Sequence, residues 1–272
     1  MTAPRNDTDF AGAVPRAYET HIVPLLFAPY ADDLVGRLEP LRPSRVLEIA
    51  AGTGVVTRAM ASRLPESVAI VATDLNPPML DHAAALGTAR PVEWRPANAQ
   101  SLPFGDAEFD AVVCQFGVMF FPDRPRAFAE ARRVLRPGGA FLFSTWTALP
   151  DNELAEAVQE ALASVFPDDP PRFLERTPHG YHDAGLVARD LAAAGFDGPP
   201  HIETLTLRSR ARSAGDAAVA FCQGTPLRSE IEARGAARLA EATEAARREV
   251  ERRFGAGPID AKMQALVVRV ER

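Results

Sequence analysis

The sequence predicts an α/β fold built on a doubly wound, mostly parallel sheet. Three observations predict it. From residue 45 onward, short apolar runs alternate with segments of helical spacing, the signature of parallel βαβ units. Those runs lack a clean apolar–polar alternation, as expected of strands covered by helices on both faces. The first run ends in a glycine-rich turn that opens a helix, the arrangement that forms a ligand crevice at the strand ends. With 272 residues and a hydrophobic fraction of 47%, the chain can bury one large core, or one core carrying a sizeable insertion.

The elements follow in order. Residues 15–39 read as helical, interrupted by Pro24 and Pro29. Residues 45–50 are the first strand and 54–64 a helix; 68–74 are a β-branched strand and 77–87 a helix with proline at its start. Residues 92–98 and 109–117 are the third and fourth strands, and 126–135 a helix. The turn Arg136-Pro137-Gly138-Gly139 leads into a fifth strand over 140–146. Beyond residue 150 the pattern changes. Residues 151–166 and 183–194 read as helices, 201–209 as a strand, and 263–272 as a final strand. Residues 228–254 read as one long helix, because Ile231, Gly235, Leu239, Ala242, Ala246, Val250 and Phe254 recur every three or four positions. The helical block between the last two strands is a candidate lid. Within it, Ser229 and Glu232 fit a capping box.

Composition excludes several classes of function. The longest apolar run, residues 111–121, is too short to cross a bilayer, which takes about 20 residues. The first ten residues lack the basic-then-apolar order of a secretory signal and read as a loose tail. A net charge of −6 argues against a nucleic-acid partner, since phosphate binding needs a basic surface. Cys114 and Cys222 form no CxxC pair, which fits a reducing cytoplasm and supplies no metal framework. Cys114 lies inside an apolar run and reads as a small buried hydrophobe.

Two sites carry the chemistry. In residues 47–60 a strand gives way, through Gly52 and Gly54, to a helix whose free N–H groups can meet a polar or anionic ligand end. An ordinary glycine turn is the competing reading. Asp74 closes the second strand twenty residues after Gly54, an offset at which an acid can accept both ribose hydroxyls. Capping of the following helix is its other role, and the two are compatible.

With these motifs in place the chain resembles the class I S-adenosylmethionine-dependent methyltransferase family over roughly residues 40–148, in particular its branch similar to quinone-biosynthesis C-methyltransferases. Glu48-x-Ala50-x-Gly52-x-Gly54 resembles the family's first motif, E/D-x-G-x-G-x-G, and Asp74 its second. Residues 97–104, ANAQSLPF, resemble the GDAxxLPF segment that holds adenine through an acidic side chain and a backbone N–H, here Asn98 and Ala99. Residues 109–123 resemble the fourth-strand motif beside the methionine part of the cofactor, which puts Cys114 and Gln115 there. Residues 134–143 are similar to the LkPGG turn and fifth strand. Two departures stand out. Ala50 replaces a glycine, which is tolerable if its φ is negative, and Asn98 replaces an aspartate, whose role its amide oxygen can still fill.

The resemblance implies a Rossmann-like sheet of seven strands, with 263–271 antiparallel beside the fifth. It implies S-adenosylmethionine as cofactor and methyl transfer to a small molecule. Residues 1–39 would be an N-terminal helical segment, 40–150 the cofactor-binding core, and 151–272 lid insertions plus the last two strands. Leu75 and Met79 are available to pack on adenine. Tyr18, Phe27 and Tyr30 are aromatic faces that can cover a sulfonium, with core packing as the alternative.

For the acceptor site, the segment PHGYHD over 178–183 offers His179, Tyr181 and His182. A histidine near neutral pKa suits a base, if the acceptor must lose a proton; a polar loop with ordinary hydrogen bonds is the competing reading. Phe116 and Tyr181 are the candidate substrate contacts, beside Gln115. No metal is expected, because the spacing offers no acid or cysteine partners. The expected partner is a small-molecule methyl acceptor, with no nucleic acid and no membrane, and a homodimer is left open. A nicotinamide-dependent oxidoreductase and a non-methylating S-adenosylmethionine-binding protein are the rival functions. The first suffers from Thr57, which stands where its fingerprint needs a third small residue.

Overall fold

The computed structural model describes residues 14–235 and 237–272. The tail expected over residues 1–10 lies outside the described residues. The strands are β1 Arg45–Ile49, β2 Ala69–Asp74, β3 Glu93–Pro96, β4 Phe109–Gln115, β5 Leu135–Trp146, β6 His201–Ala211 and β7 Ile259–Glu271. They form one sheet in the order β3-β2-β1-β4-β5-β7-β6. The first five strands are parallel, and β7 runs antiparallel to both of its neighbours, β5 and β6. The sheet thus confirms the expected seven strands and the placement of the last one.

Strand alternation splits the core between the two faces of the sheet. Val46, Ala111, Val113 and Leu142 pack against α2 Ala28–Leu38 and α3 Val55–Arg63. Leu47, Val112, Phe141 and Phe143 pack against α5 Arg124–Val134 and α8 Ala184–Ala193. Burying each such side chain stabilises the fold by about 1.5–3 kcal/mol. The helix expected over 183–194 is therefore α8, a layer of the core and not part of a lid. The turn at Arg136–Gly139 lies inside β5: Phe109 pairs with Leu135 and Ala111 with Ala140, so those four residues bulge out of register.

Four further corrections concern helices. The N-terminal segment is not interrupted by its prolines. It runs from α1 Val14–Ala17 through a π-helical stretch, Tyr18–Phe27, into α2. Pro24 sits within the wider π coil, and Pro29 in the first turn of α2, where a missing N–H is harmless. The long helix over 228–254 breaks into α10 Leu227–Ala233 and α11 Arg238–Phe254, around Gly235 at φ 137°. The apolar period survived the break because Ile231, Ala242, Ala246 and Val250 all reach one cluster. Ser229 falls inside α10, so no capping box forms there; the Thr225 hydroxyl accepts from Leu227 N instead. Two elements were not resolved by periodicity: α7 Phe173–Arg176 and α9 Ala214–Gln223, the latter capped by Ser213. With α6 Glu153–Val165 and α11, α9 forms the helical cluster that covers one end of the sheet.

Candidate functional site

The site lies where the order of the sheet reverses, beyond the C-terminal ends of β1 and β4. The glycine loop after β1 is strained. Ala50 sits at φ +56°, not at the negative φ that would make its replacement of glycine free. A non-glycine residue there costs about 1–2 kcal/mol. Phe116, just past β4, is a second such residue at φ +50°, and both line the same cleft. Strain of this kind persists where surrounding contacts over-determine it and where backbone must be presented to a ligand.

The two glycines do different things. Gly52, at φ +57°, lines the cleft and donates its N–H to Asp74 Oδ2 at 2.8 Å. Gly54 is not at the cleft. A Cβ there would stand 2.9 Å from the Trp94 ring and 3.2 Å from Ala83, so its smallness serves packing beneath the loop. Glu48 also faces away from the cleft. It is 2% exposed and accepts from the Thr57 hydroxyl, tying the end of β1 to the first turn of α3. Burial pushes its carboxyl up to about 8. Gly117 was not singled out in the sequence: a Cβ there would lie 2.6 Å from Ala50 Cβ and 2.7 Å from Cys114 Sγ. That contact explains Cys114, which is wholly buried beneath the floor of the cleft rather than in it.

The cleft is lined by Tyr18, Ala50, Gly52, Asp74, Leu75 and Met79 together with Asn98, Ala99, Gln115 and Phe116. Asp74 Oδ1 accepts from Asn76 N at 2.8 Å and from Asn76 Nδ2 at 3.3 Å, and Oδ2 accepts from Gly52 N at 2.8 Å, which together orient the carboxylate. Burial raises its pKa even against those amide donors. The Asn98 amide oxygen accepts from Gln100 N at 2.9 Å, which orients the side chain and leaves that oxygen a second lone pair beside the free NH2. Gln115 donates through Nε2 to the Phe27 carbonyl at 3.1 Å, while its buried Oε1 has no partner among the described residues. Leu75 is 55% exposed at the rim, ready to cover a planar ligand.

A second cavity adjoins the first. Tyr18, Phe116 and Phe120 line both. The π-helical stretch, α6, α7, α9 and β7 supply the rest of its wall, largely as Ile22, Phe27, Trp146, Leu154, Phe173 and Phe221. Phe116 and Trp146 stack at 3.9 Å and 10°. Arg58, on α3, fastens the π-helical stretch to the glycine loop by pairing with Glu19 at 2.6 Å and donating to the Thr53 carbonyl. Tyr30 lies behind this wall, with its ring edge on Phe116 and Trp146 and its hydroxyl on the Leu205 carbonyl.

Of the three residues in the PHGYHD segment, only His179 reaches this chamber. Tyr181 is fully buried elsewhere, donating to Asp190 at 2.7 Å with the Arg124 guanidinium over its ring. His182 is exposed and bonded to the His179 carbonyl. Neither touches the chamber, so neither takes the base or substrate role expected from sequence. Phe120, Trp146 and Phe173 were missed. Trp146 had a usable signal, since it ends β5 at the edge of the sheet where such folds bind ligands. Among the described residues there is no cluster of three or more potential metal ligands, and no helix is long and apolar enough to cross a membrane.

The strained glycine loop, the acid at the tip of β2 and the mixed seven-stranded order define a nucleoside-binding protein of the methyltransferase class. The methyltransferase domain family matches residues 47–143. A ubiquinone/menaquinone biosynthesis C-methyltransferase of Dinoroseobacter shibae is 31% identical over 181 residues, 62% of this chain and 72% of that protein. The chain belongs to the S-adenosylmethionine-dependent methyltransferase family. An uncharacterized protein of Mycobacterium tuberculosis is 39% identical over 134 residues, 44% of this chain; the match spans 47%, about half, of that relative's length. The crystal structure of the YcgJ protein from Bacillus subtilis superposes with a TM-score of 0.57 at 19% identity, covering 90% of this chain and 99% of that one, a likeness of fold.

Proposed function

We propose that the protein transfers the methyl group of S-adenosylmethionine to a small, largely apolar acceptor. The observation that carries this reading is the pair of cavities that meet across Tyr18, Phe116 and Phe120. The first carries an acid, amide side chains and loop backbone, while the second is largely aromatic and aliphatic.

The residues of the cleft fit the cofactor. Asp74, a carboxylate oriented by Gly52 and Asn76 at the tip of β2, is the acceptor for the ribose hydroxyls. Gln115 Oε1, buried without a partner, suits the α-ammonium of the methionine part. The Asn98 side-chain amide and the Ala99 N–H suit the polar edge of adenine, and Leu75 and Met79 suit its faces. The bound cofactor supplies a methyl group on a sulfonium, open to direct displacement. The protein's share is to hold the acceptor in line with that bond and keep water out, and the apolar wall of the chamber does both. The aromatic faces at the junction favour the cation before its charge is lost.

Calorimetric titration with S-adenosylhomocysteine, against a nicotinamide dinucleotide as the rival ligand, tests the first half. Release of S-adenosylhomocysteine in the presence of apolar acceptors tests the second. Binding of the dinucleotide alone would end this reading.

A further inference from the structure

We propose that His179 anchors the far end of the acceptor, so that the chamber selects a neutral, ring-bearing molecule with one O–H or N–H donor remote from the methylated atom. This rests on the methyl-transfer reading above only in treating the chamber as the acceptor's site.

The argument begins with the tautomer. His179 Nδ1 lies 2.8 Å from the Thr147 carbonyl, and a carbonyl can only accept. Nδ1 therefore carries the proton, and Nε2 presents a bare lone pair. No bond to Nε2 is made by any described residue, although the side chain is only 5% exposed and lines the chamber. Burial pushes the imidazole pKa down to about 4, so it stays neutral at pH 7.

The side-chain amide and hydroxyls that line the inner chamber are already committed. Asn152 donates to Thr147 and Ala148 and accepts from Gln264 N. The Ser209 hydroxyl donates to the Leu25 carbonyl, and that of Thr225 to the Phe221 carbonyl. Lys262 touches the chamber, but strand alternation turns its side chain to the opposite face of β7 from Ala261 and Met263. The inner chamber thus offers an acceptor of hydrogen bonds and no charge of either sign. An anionic or cationic molecule would leave its ion buried without a partner.

Position decides the role. Phe116 stands at the junction with the cofactor cleft, Trp146 stacks on it at 3.9 Å, and His179 lies beyond Trp146, with ring centres 6.1 Å apart. Trp146 and His179 line the chamber but not the cleft. The imidazole is therefore set back from the point of methyl transfer by a ring's depth, as suits an anchor rather than a base.

The test uses three probes of one shape: 2-naphthol, 2-methoxynaphthalene and 2-naphthoate. Each is titrated into the protein, with and without S-adenosylhomocysteine. The naphthol should bind roughly tenfold or more tightly than its methyl ether and than the carboxylate, since only it satisfies Nε2 without burying a charge. H179F should erase that preference and leave affinity for S-adenosylhomocysteine unchanged. If H179F does not fold, the wild-type ranking decides alone. Equal affinities for naphthol and ether, tightest binding of the carboxylate, a preference that survives in folded H179F, or no binding of any probe at millimolar concentration would each overturn the assignment. Failure of S-adenosylhomocysteine to bind would instead strike the methyl-transfer reading, and the ranking measured without it would still stand.

Discussion

The cofactor cleft and the acceptor chamber adjoin, yet they are built in opposite ways. The cleft is made of loop backbone at the ends of β1, β2 and β4, held in place by Ala50 and Phe116 in left-handed conformations and by the amide donors on Asp74. The chamber is made of side chains from helices and strand ends far apart in sequence, with its amide and hydroxyl groups internally satisfied and His179 Nε2 left open. On the proposed reading the first recognises by fixed geometry, and the second by shape and by the absence of charge. Mutations in the cleft should therefore act through individual hydrogen bonds, and those in the chamber through volume and one lone pair.

The largest effect should come from a change that removes the base of both regions. Deleting residues 262–272 takes most of β7 from between β5 and β6 and exposes two unpaired edges. An insoluble or unfolded product is expected, and a truncated protein with unchanged melting would refute the account of the sheet. Gly54→Val comes next. Its side chain would be driven into Trp94 from a left-handed backbone, so melting should fall first and cofactor binding with it. A stable variant that merely fails to bind would show that Gly54 serves the ligand directly.

The pH dependence of stability sharpens the contrast further. His179 has a folded pKa near 4 against an ordinary 6.5, so its neutral form favours the fold above 6.5, and this stabilisation is lost as pH falls toward 4. The full loss, reached below pH 4, amounts to about 3 kcal/mol. Glu48 acts in the opposite sense: its folded pKa of about 8 stabilises the fold below 4.5, and that is lost as pH rises through 8. The two oppose each other between 4.5 and 6.5, so the difference between wild type and H179F in denaturant melts isolates the histidine. A difference that does not change with pH would show that His179 is not buried neutral. The smallest effect is Ala50→Gly, which should raise stability by about 0.5–1 kcal/mol by relieving the left-handed strain, with little change in cofactor affinity.

The same contrast explains what the sequence revealed. The cleft was legible because its residues follow one another at the ends of β1, β2, β3 and β4 at fixed offsets: Gly52, Asp74, Asn98 and Gln115 all reach it. Where reading by offset failed, the side chain faced the wrong way. Glu48, Gly54 and Cys114 fall in the motifs but support the loop from beneath. The chamber was hidden because Tyr18, Trp146, His179 and Phe221 meet only through the fold, and no spacing along the chain announces that. The π-helical stretch was hidden for a related reason, since Pro24 signals a break in an α-helix and carries no sign that a wider coil absorbs it.

The central claim is that the two cavities divide the work, one holding the cofactor and the other the acceptor. Calorimetric titration of S-adenosylhomocysteine into wild type, Asp74→Ala and H179F tests it most directly. Asp74→Ala should lose about 1.5–3 kcal/mol of binding through the missing ribose bonds, while H179F binds as wild type does. Wild-type affinity in Asp74→Ala, or a comparable loss in H179F, would contradict the division.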